Sequence, residues 1–330
     1  MPDNVEVVRV PGFLSARALR AGPSAAKPVA DAALAARFAA EARARRFDVA
    51  LAHNAEAALA ALLVRPVTRV PVVYVAHTLL GNELDAYFSS GIAQLTRRLG
   101  GSLDATLAGR ADGVLALCSA AALRLRPDAR GPLTVIPPGL DPGPPPAAES
   151  VERICFRCGV EPGHFALYTG NVDGYQDLAL LGAAARLLPG LPIVVATHGA
   201  RVADDAALRC VRTPPGEARA LTFACATAVL PRGREGGFPI KLLNYMEAGR
   251  AIVARSGLVD GLEHGVSAWL VPKDAGPPEL ASALELLTSD PERAAKLGRG
   301  ARALLELRHG WAPLAKQTLE FCEEVILRAA

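Results

Sequence analysis

Apolar positions along the chain gather into short unbroken runs rich in Val, Ile and Ala. Longer stretches lie between them, in which Leu, Ala and Arg recur at helical spacing. Runs that do not alternate with polar residues mark strands covered on both faces. They predict strands at 5–10, 49–53, 72–77, 113–117, 133–136, 165–169, 193–197, 228–231, 251–254 and 268–271. With helical crossovers between them the strands are expected to run parallel, giving an α/β chain of Rossmann-like, doubly wound sheets.

The pattern breaks at Pro137-Pro138-Gly139-Leu140-Asp141-Pro142-Gly143-Pro144-Pro145-Pro146. Proline fixes φ and donates no backbone hydrogen bond, so neither helix nor sheet continues through such a run. At 330 residues the chain exceeds what one core usually holds. The expected division is a first Rossmann-like domain at 1–142, a Pro-rich linker at 143–148 and a second domain at 149–312. A last helix at 313–330, opened by Trp311-Ala312-Pro313, is expected to pack back on the first domain.

Composition narrows the class. Apolar residues make up 51% and charged residues 21%, enough burial to offset chain entropy. A net charge of +3 is too small and unclustered for a non-specific nucleic-acid binder. The opening Met1-Pro2-Asp3-Asn4-Val5-Glu6 lacks the basic then apolar order of an export signal. No apolar run reaches the ~20 residues that span a bilayer. The expectation is a cytoplasmic protein without a transmembrane segment, for which peripheral membrane contact stays open. Six cysteines are scattered, and Cys155-Phe156-Arg157-Cys158 is the one close pair. Without a second pair or ligand histidines it reads as ordinary packing.

The candidate chemistry lies after the run at 228–231. Arg232, Gly233, Arg234, Glu235, Gly236, Gly237 and Phe238 lead to Pro239-Ile240-Lys241. Proline is tolerated in a first helical turn, so a helix is expected from about Pro239. A strand, a glycine-rich loop and a helix N-terminus together favour an anion, and Arg232, Arg234 and Lys241 add formal charge. Lys241, Asn244 and, one turn later, Glu247 or Ala248 fall on neighbouring positions of one helical face. A phosphate at Lys241 would put Asn244 within reach of an attached ribose.

The stretch Gly237-Phe238-Pro239-Ile240-Lys241-Leu242-Leu243-Asn244-Tyr245-Met246-Glu247-Ala248-Gly249, followed by Ala251-Ile252-Val253-Ala254, closely resembles the donor motif of family 4 retaining glycosyltransferases. The resemblance runs on through Asp260-Gly261-Leu262-Glu263-His264-Gly265 and back through Leu167-Tyr168-Thr169-Gly170-Asn171 and Val73-Tyr74-Val75-Ala76-His77-Thr78. It covers about 45–330. It implies the two-domain GT-B architecture, a nucleoside diphosphate sugar as substrate, an unidentified acceptor, no cofactor or required metal, and retention of configuration. It also implies that His77 faces the donor sugar, and that Gly170 and Asn171 help hold the donor.

The departures sharpen the expectation. Aligned on Met246 and Gly249, the two glutamates usual in the family fall at Gly236 and Asn244. The first carboxylate is therefore absent or replaced by Glu235, and the second is an amide that accepts more weakly. The Arg and Lys that many members carry after the first strand of the second domain are replaced by Gly170-Asn171-Val172-Asp173. Lys241 with Arg232 or Arg234 is expected to take over that charge. Family members also open with a strand and a paired-glycine loop that this sequence lacks before Gly100-Gly101. One βαβ unit, on the order of 30 residues, is thus expected to be missing from the first domain. A non-catalytic nucleotide-sugar binder and a nucleotide-sugar epimerase of the same architecture are the alternative functions.

Overall fold

A computed structural model describes residues 5–10, 27–83, 90–199, 205–234 and 237–330. Contacts divide it into two units, Met1–Ile136 with Ala315–Ala330, and Pro137–Leu314.

The first unit holds four parallel strands in the order β1 (Ala50–His53), β2 (Val72–Ala76), β3 (Gly113–Ala116) and β4 (Leu133–Val135). Every residue of β2 and β3 is buried, as their unalternating sequences require. Around the sheet lie α1 (Lys27–Ala44), α2 (Asn54–Thr68), α3 (Leu80–Glu83), α4 (Ser90–Arg110) and α5 (Ser119–Leu125). Helix α2 ends at Arg69, whose φ of 57° is left-handed and whose N–H caps the Arg65 carbonyl.

The predicted strand at 5–10 is a correction. The segment is open chain, with Val5, Val7 and Val8 exposed. Its Glu6 carboxylate is held by Arg45. β-branched composition alone makes no strand, because a strand exists only where a neighbour supplies its hydrogen bonds.

In the second unit six parallel strands follow the order β10-β9-β8-β5-β6-β7. They are β5 (Ala166–Thr169), β6 (Ile193–Thr197), β7 (Arg209–Arg212), β8 (Thr227–Leu230), β9 (Ala251–Arg255) and β10 (Trp269–Val271). The helices are α6 (Ala148–Cys158), α7 (Leu178–Arg186), α8 (Pro215–Ala224), α9 (Lys241–Glu247), α10 (Pro277–Ser289) and α11 (Pro291–Arg308), and α12 (Trp311–Ala329) closes the chain. Strand β7 is absent from the predicted set because it is a half-exposed edge flanked by Arg209 and Arg212. The core is built from Tyr168, Leu181, Val195, Val229, Val253 and Leu284. Cys155 and Cys158 are buried free thiols on α6. The first sheet has fewer strands than the second, and both match an α/β fold of parallel sheets.

The direction of winding reverses between β5 and β8, which pair with each other while β6 and β9 extend the sheet on either side. Ligands of open parallel sheets sit at the carboxyl ends of the strands flanking such a reversal. Gly170 and Asn171 follow β5, and Pro231 and Arg232 follow β8.

Candidate functional site

Lys241, the first residue of α9, turns its ammonium onto the end of β5. Its Nζ donates to the Tyr168 hydroxyl at 2.6 Å and to Gln176 Oε1 at 3.1 Å. It also lies 4.0 Å from the centroid of the Tyr168 ring. The Tyr168 hydroxyl donates in turn to the Asn171 carbonyl at 2.6 Å, so its one donor is spent within the protein. Asn171 donates to Asp173 at 2.6 Å and to Tyr175 at 3.1 Å, and accepts from Gln176 at 3.0 Å. Gly170 makes room for this arrangement: its φ is +127°, and a Cβ there would stand 2.8 Å from Lys241 Nζ.

Burial, and next the Arg232 guanidinium, pull the Lys241 pKa down to about 7, with Asp173 pulling weakly the other way. An ammonium has three donors, and two are spent on Tyr168 and Gln176. The third, beside Arg232, has no partner among the described residues.

Arg232 is buried and threads its own loop. Its Nε donates to the Arg234 carbonyl at 3.1 Å, and its guanidinium to the Gly237 carbonyl at 3.1 Å. Gly237 takes a φ of +91°, a conformation that costs glycine little. The loop therefore closes around a cation. Glu235 and Gly236, two of the expected donor residues, lie outside the described residues. Arg234 is exposed, and the structure brings its main chain rather than its guanidinium to Arg232.

Pro239 opens the first turn, since its carbonyl accepts from Leu242 N at 2.8 Å, although the regular helix begins at Lys241. Ile240 is 54% exposed. Phe238 is buried with its ring 5.3 Å from that of His309, which makes it a packing residue of the loop. Asn244 is half-buried and makes no side-chain hydrogen bond among the described residues.

Glu247, six residues on from Lys241 in α9, is committed to other partners. It is buried and held by Arg219 at 2.8 Å and 3.2 Å and by Gly143 N at 3.0 Å. Those bonds keep its carboxyl below the usual range despite burial, and they tie up both oxygens.

In the first unit His77 follows β2, and its Nε2 meets His53 Nδ1 at 2.8 Å. Partial burial holds both imidazoles below their ordinary pKa, and His53 lowers His77 further. Two neutral rings can share this bond because one nitrogen donates and the other accepts.

Sequence reasoning missed His53, Tyr168 and Gln176. The first had a signal, since His53 and His77 end neighbouring strand runs. Tyr168 reads as core within an apolar run, and Gln176 as an ordinary loop amide. Only the fold brings them to Lys241.

Two family models match the chain. Residues 5–143 match the Glycosyltransferase Family 4 model, and residues 211–290, which carry Arg232 and Lys241, match Glycosyl transferases group 1. These matches mark a glycosyltransferase-type chain, and its two parallel sheets have the GT-B fold. Sucrose-phosphate synthase from Thermosynechococcus elongatus superposes with a TM-score of 0.74 at 19% identity, over 90% of this chain and 78% of that one. HepE of Anabaena, in complex with UDP and glucose, gives 0.69 at 18% identity over 90% and 82%. A glycosyltransferase from Rickettsia africae ESF-5 gives 0.66 at 13% identity over 92% and 84%. At these identities the superpositions speak for fold. No curated protein sequence matches the chain. Among the described residues no helix is long and apolar enough to cross a membrane.

Proposed function

We propose that this glycosyltransferase moves a sugar from a nucleoside diphosphate sugar to an acceptor with retention of configuration, and that the donor diphosphate sits at Lys241 and Arg232. The observation that carries the reading is the buried Lys241 ammonium, held at the reversal point of the second sheet with one donor unspent and Arg232 beside it. The bond to the leaving diphosphate breaks as negative charge gathers on it, so preorganised cations there lower the barrier more than they stabilise the ground state. The reading assigns the charge to these side chains and needs no resident metal. His77, oriented by its bond to His53, is the group assigned to the donor sugar. HepE, with UDP and glucose in its crystal, has the same fold, which supports a nucleotide-sugar donor.

The test is titration calorimetry with uridine and guanosine diphosphates. A charge-assisted hydrogen bond is worth roughly 1.5–3 kcal/mol, so Lys241→Ala should weaken binding about ten- to a hundredfold. Lys296→Ala, an exposed lysine on α11, should leave it unchanged. Equal affinities for the two variants would remove Lys241 from the donor site. Retention is read from the anomeric proton of the product by NMR. One feature favours a non-catalytic binder, the amide Asn244 where the family motif carries a carboxylate. Diphosphate binding with neither transfer nor donor hydrolysis would establish that alternative.

A further inference from the structure

The first unit carries a cavity of about 810 Å³ at the amino ends of its strands, within the span of small-molecule sites, about 300–1,000 Å³. Asp112, which lines it, precedes β3, and Pro132 precedes β4. His53 and His77 stand at the carboxyl ends of strands of the same sheet. The cavity is therefore separate from the imidazole pair.

Its wall is apolar, with Leu59, Leu62, Leu107 and Val325 among the lining side chains. Around these stand Arg65, Arg110, Arg130 and Arg328, against the single carboxylate of Asp112. Arg65 is committed: it donates to both Asp112 oxygens, at 3.0 Å and 3.1 Å, and to the Arg110 carbonyl at 2.8 Å. Arg328 pairs with Glu324 at 2.9 Å on α12. Arg110 and Arg130 are exposed, and neither guanidinium has a partner among the described residues.

An apolar chamber with two uncommitted guanidinium groups complements an anion with a hydrocarbon tail. From this we infer that the cavity binds a single-chain lipid phosphate, its acyl chain against Leu59, Leu62 and Leu63 and its phosphate at Arg110 and Arg130. A phosphate monoester matches the planar donor fork of arginine. The site is concave, a shape that suits a dissolved monomer rather than the flat face of a bilayer. The inference is independent of the donor site and survives if the proposed function fails.

The test uses the full chain and 1-oleoyl lysophosphatidic acid below its micelle concentration, followed by titration calorimetry. One equivalent should bind. The double variant Arg110→Ser with Arg130→Ser removes two exposed side chains and should leave thermal stability unchanged while weakening binding by about tenfold or more. Leu62→Asp places a carboxylate beside the acyl chain and should weaken it comparably. Lys296→Ser with Arg299→Ser, on α11 of the second unit, should have no effect. Absence of binding overturns the inference, as does unchanged affinity of the arginine variant. Equal affinity for the uncharged monooleoylglycerol, or binding only to vesicles containing phosphatidic acid, overturns it as well.

Discussion

Burial, and next the Arg232 guanidinium, pull the Lys241 pKa down to about 7, and this sets a testable pH dependence. A bound diphosphate stabilises the charged form and raises that pKa, so donor binding takes up a proton. The uptake should be large from about pH 7 upward, where the free lysine is increasingly neutral, and should vanish well below pH 7, where it is already charged. Affinity should accordingly fall as pH rises above about 7. UDP-glucose is the right probe, since its diphosphate has no proton to exchange near neutrality. Binding enthalpies compared at pH 8 in buffers of different ionisation enthalpy report the uptake directly, and Lys241→Met should abolish the difference. Identical enthalpies for the unmodified chain would mean that Lys241 does not meet the diphosphate. The other unit offers a parallel case: His53 lowers the pKa of His77, so His53→Gln should move the His77 C2 proton titration upward by NMR. Lys241 and Arg232 were legible in the sequence because proline, glycine and charge stand close together there. Tyr168 and Gln176 were not, because their link to Lys241 spans 73 and 65 residues of chain.

At the scale of elements, the strands covered on both faces were legible and the others were not. Strands β2, β6, β8 and β9 are almost wholly buried, and their composition states as much. β7 hides behind its two arginines, whereas residues 5–10 have the composition of a strand without a partner. Close packing between helix and loop was equally invisible. Gly298 on α11 lies so near the Gly249 carbonyl that an added Cβ would stand 1.9 Å from its oxygen. Gly249 itself ends α9 with a φ of +60°, so neither backbone yields easily. Gly298→Ala gains about 1 kcal/mol of helix propensity. It incurs overpacking of typically 1–3 kcal/mol, and a backbone contact this short belongs at the upper end. The net loss of about 2 kcal/mol should lower the melting temperature by about 4–8 °C in a unit of this size. Gly216→Ala on α8, with nothing within 4 Å of the added Cβ, should leave stability unchanged or raise it by up to about 1 kcal/mol, and calorimetric melting of the two variants decides the point.

At the scale of the whole molecule, the sheet edge at β1 stands out among the described residues because exposed apolar side chains lie beside it. In the first unit β1 pairs with β2 on one side and with no described strand on the other. Beside it lies an apolar groove to which Leu34, Phe47 and Leu51 contribute, with exposures of 38%, 40% and 41%. Unpaired N–H and C=O groups next to exposed apolar side chains make a template for a strand from another molecule, and natural edges are usually blunted by lysine, proline or a covering element. Leu51 points outward from β1, between buried Ala52 and half-buried Ala50, so its replacement removes little of the core. Leu51→Lys should therefore raise the concentration at which this chain stays monomeric, because a charge on the edge must be desolvated before a second strand can pair. Static light scattering over a concentration series gives the measurement, with the melting temperature as control. Leu327→Lys, a change at an equally apolar and more exposed position on α12, tests whether any added charge has the same effect. A gain specific to Leu51 locates association at the β1 edge, and an equal gain from both substitutions assigns it to net charge alone.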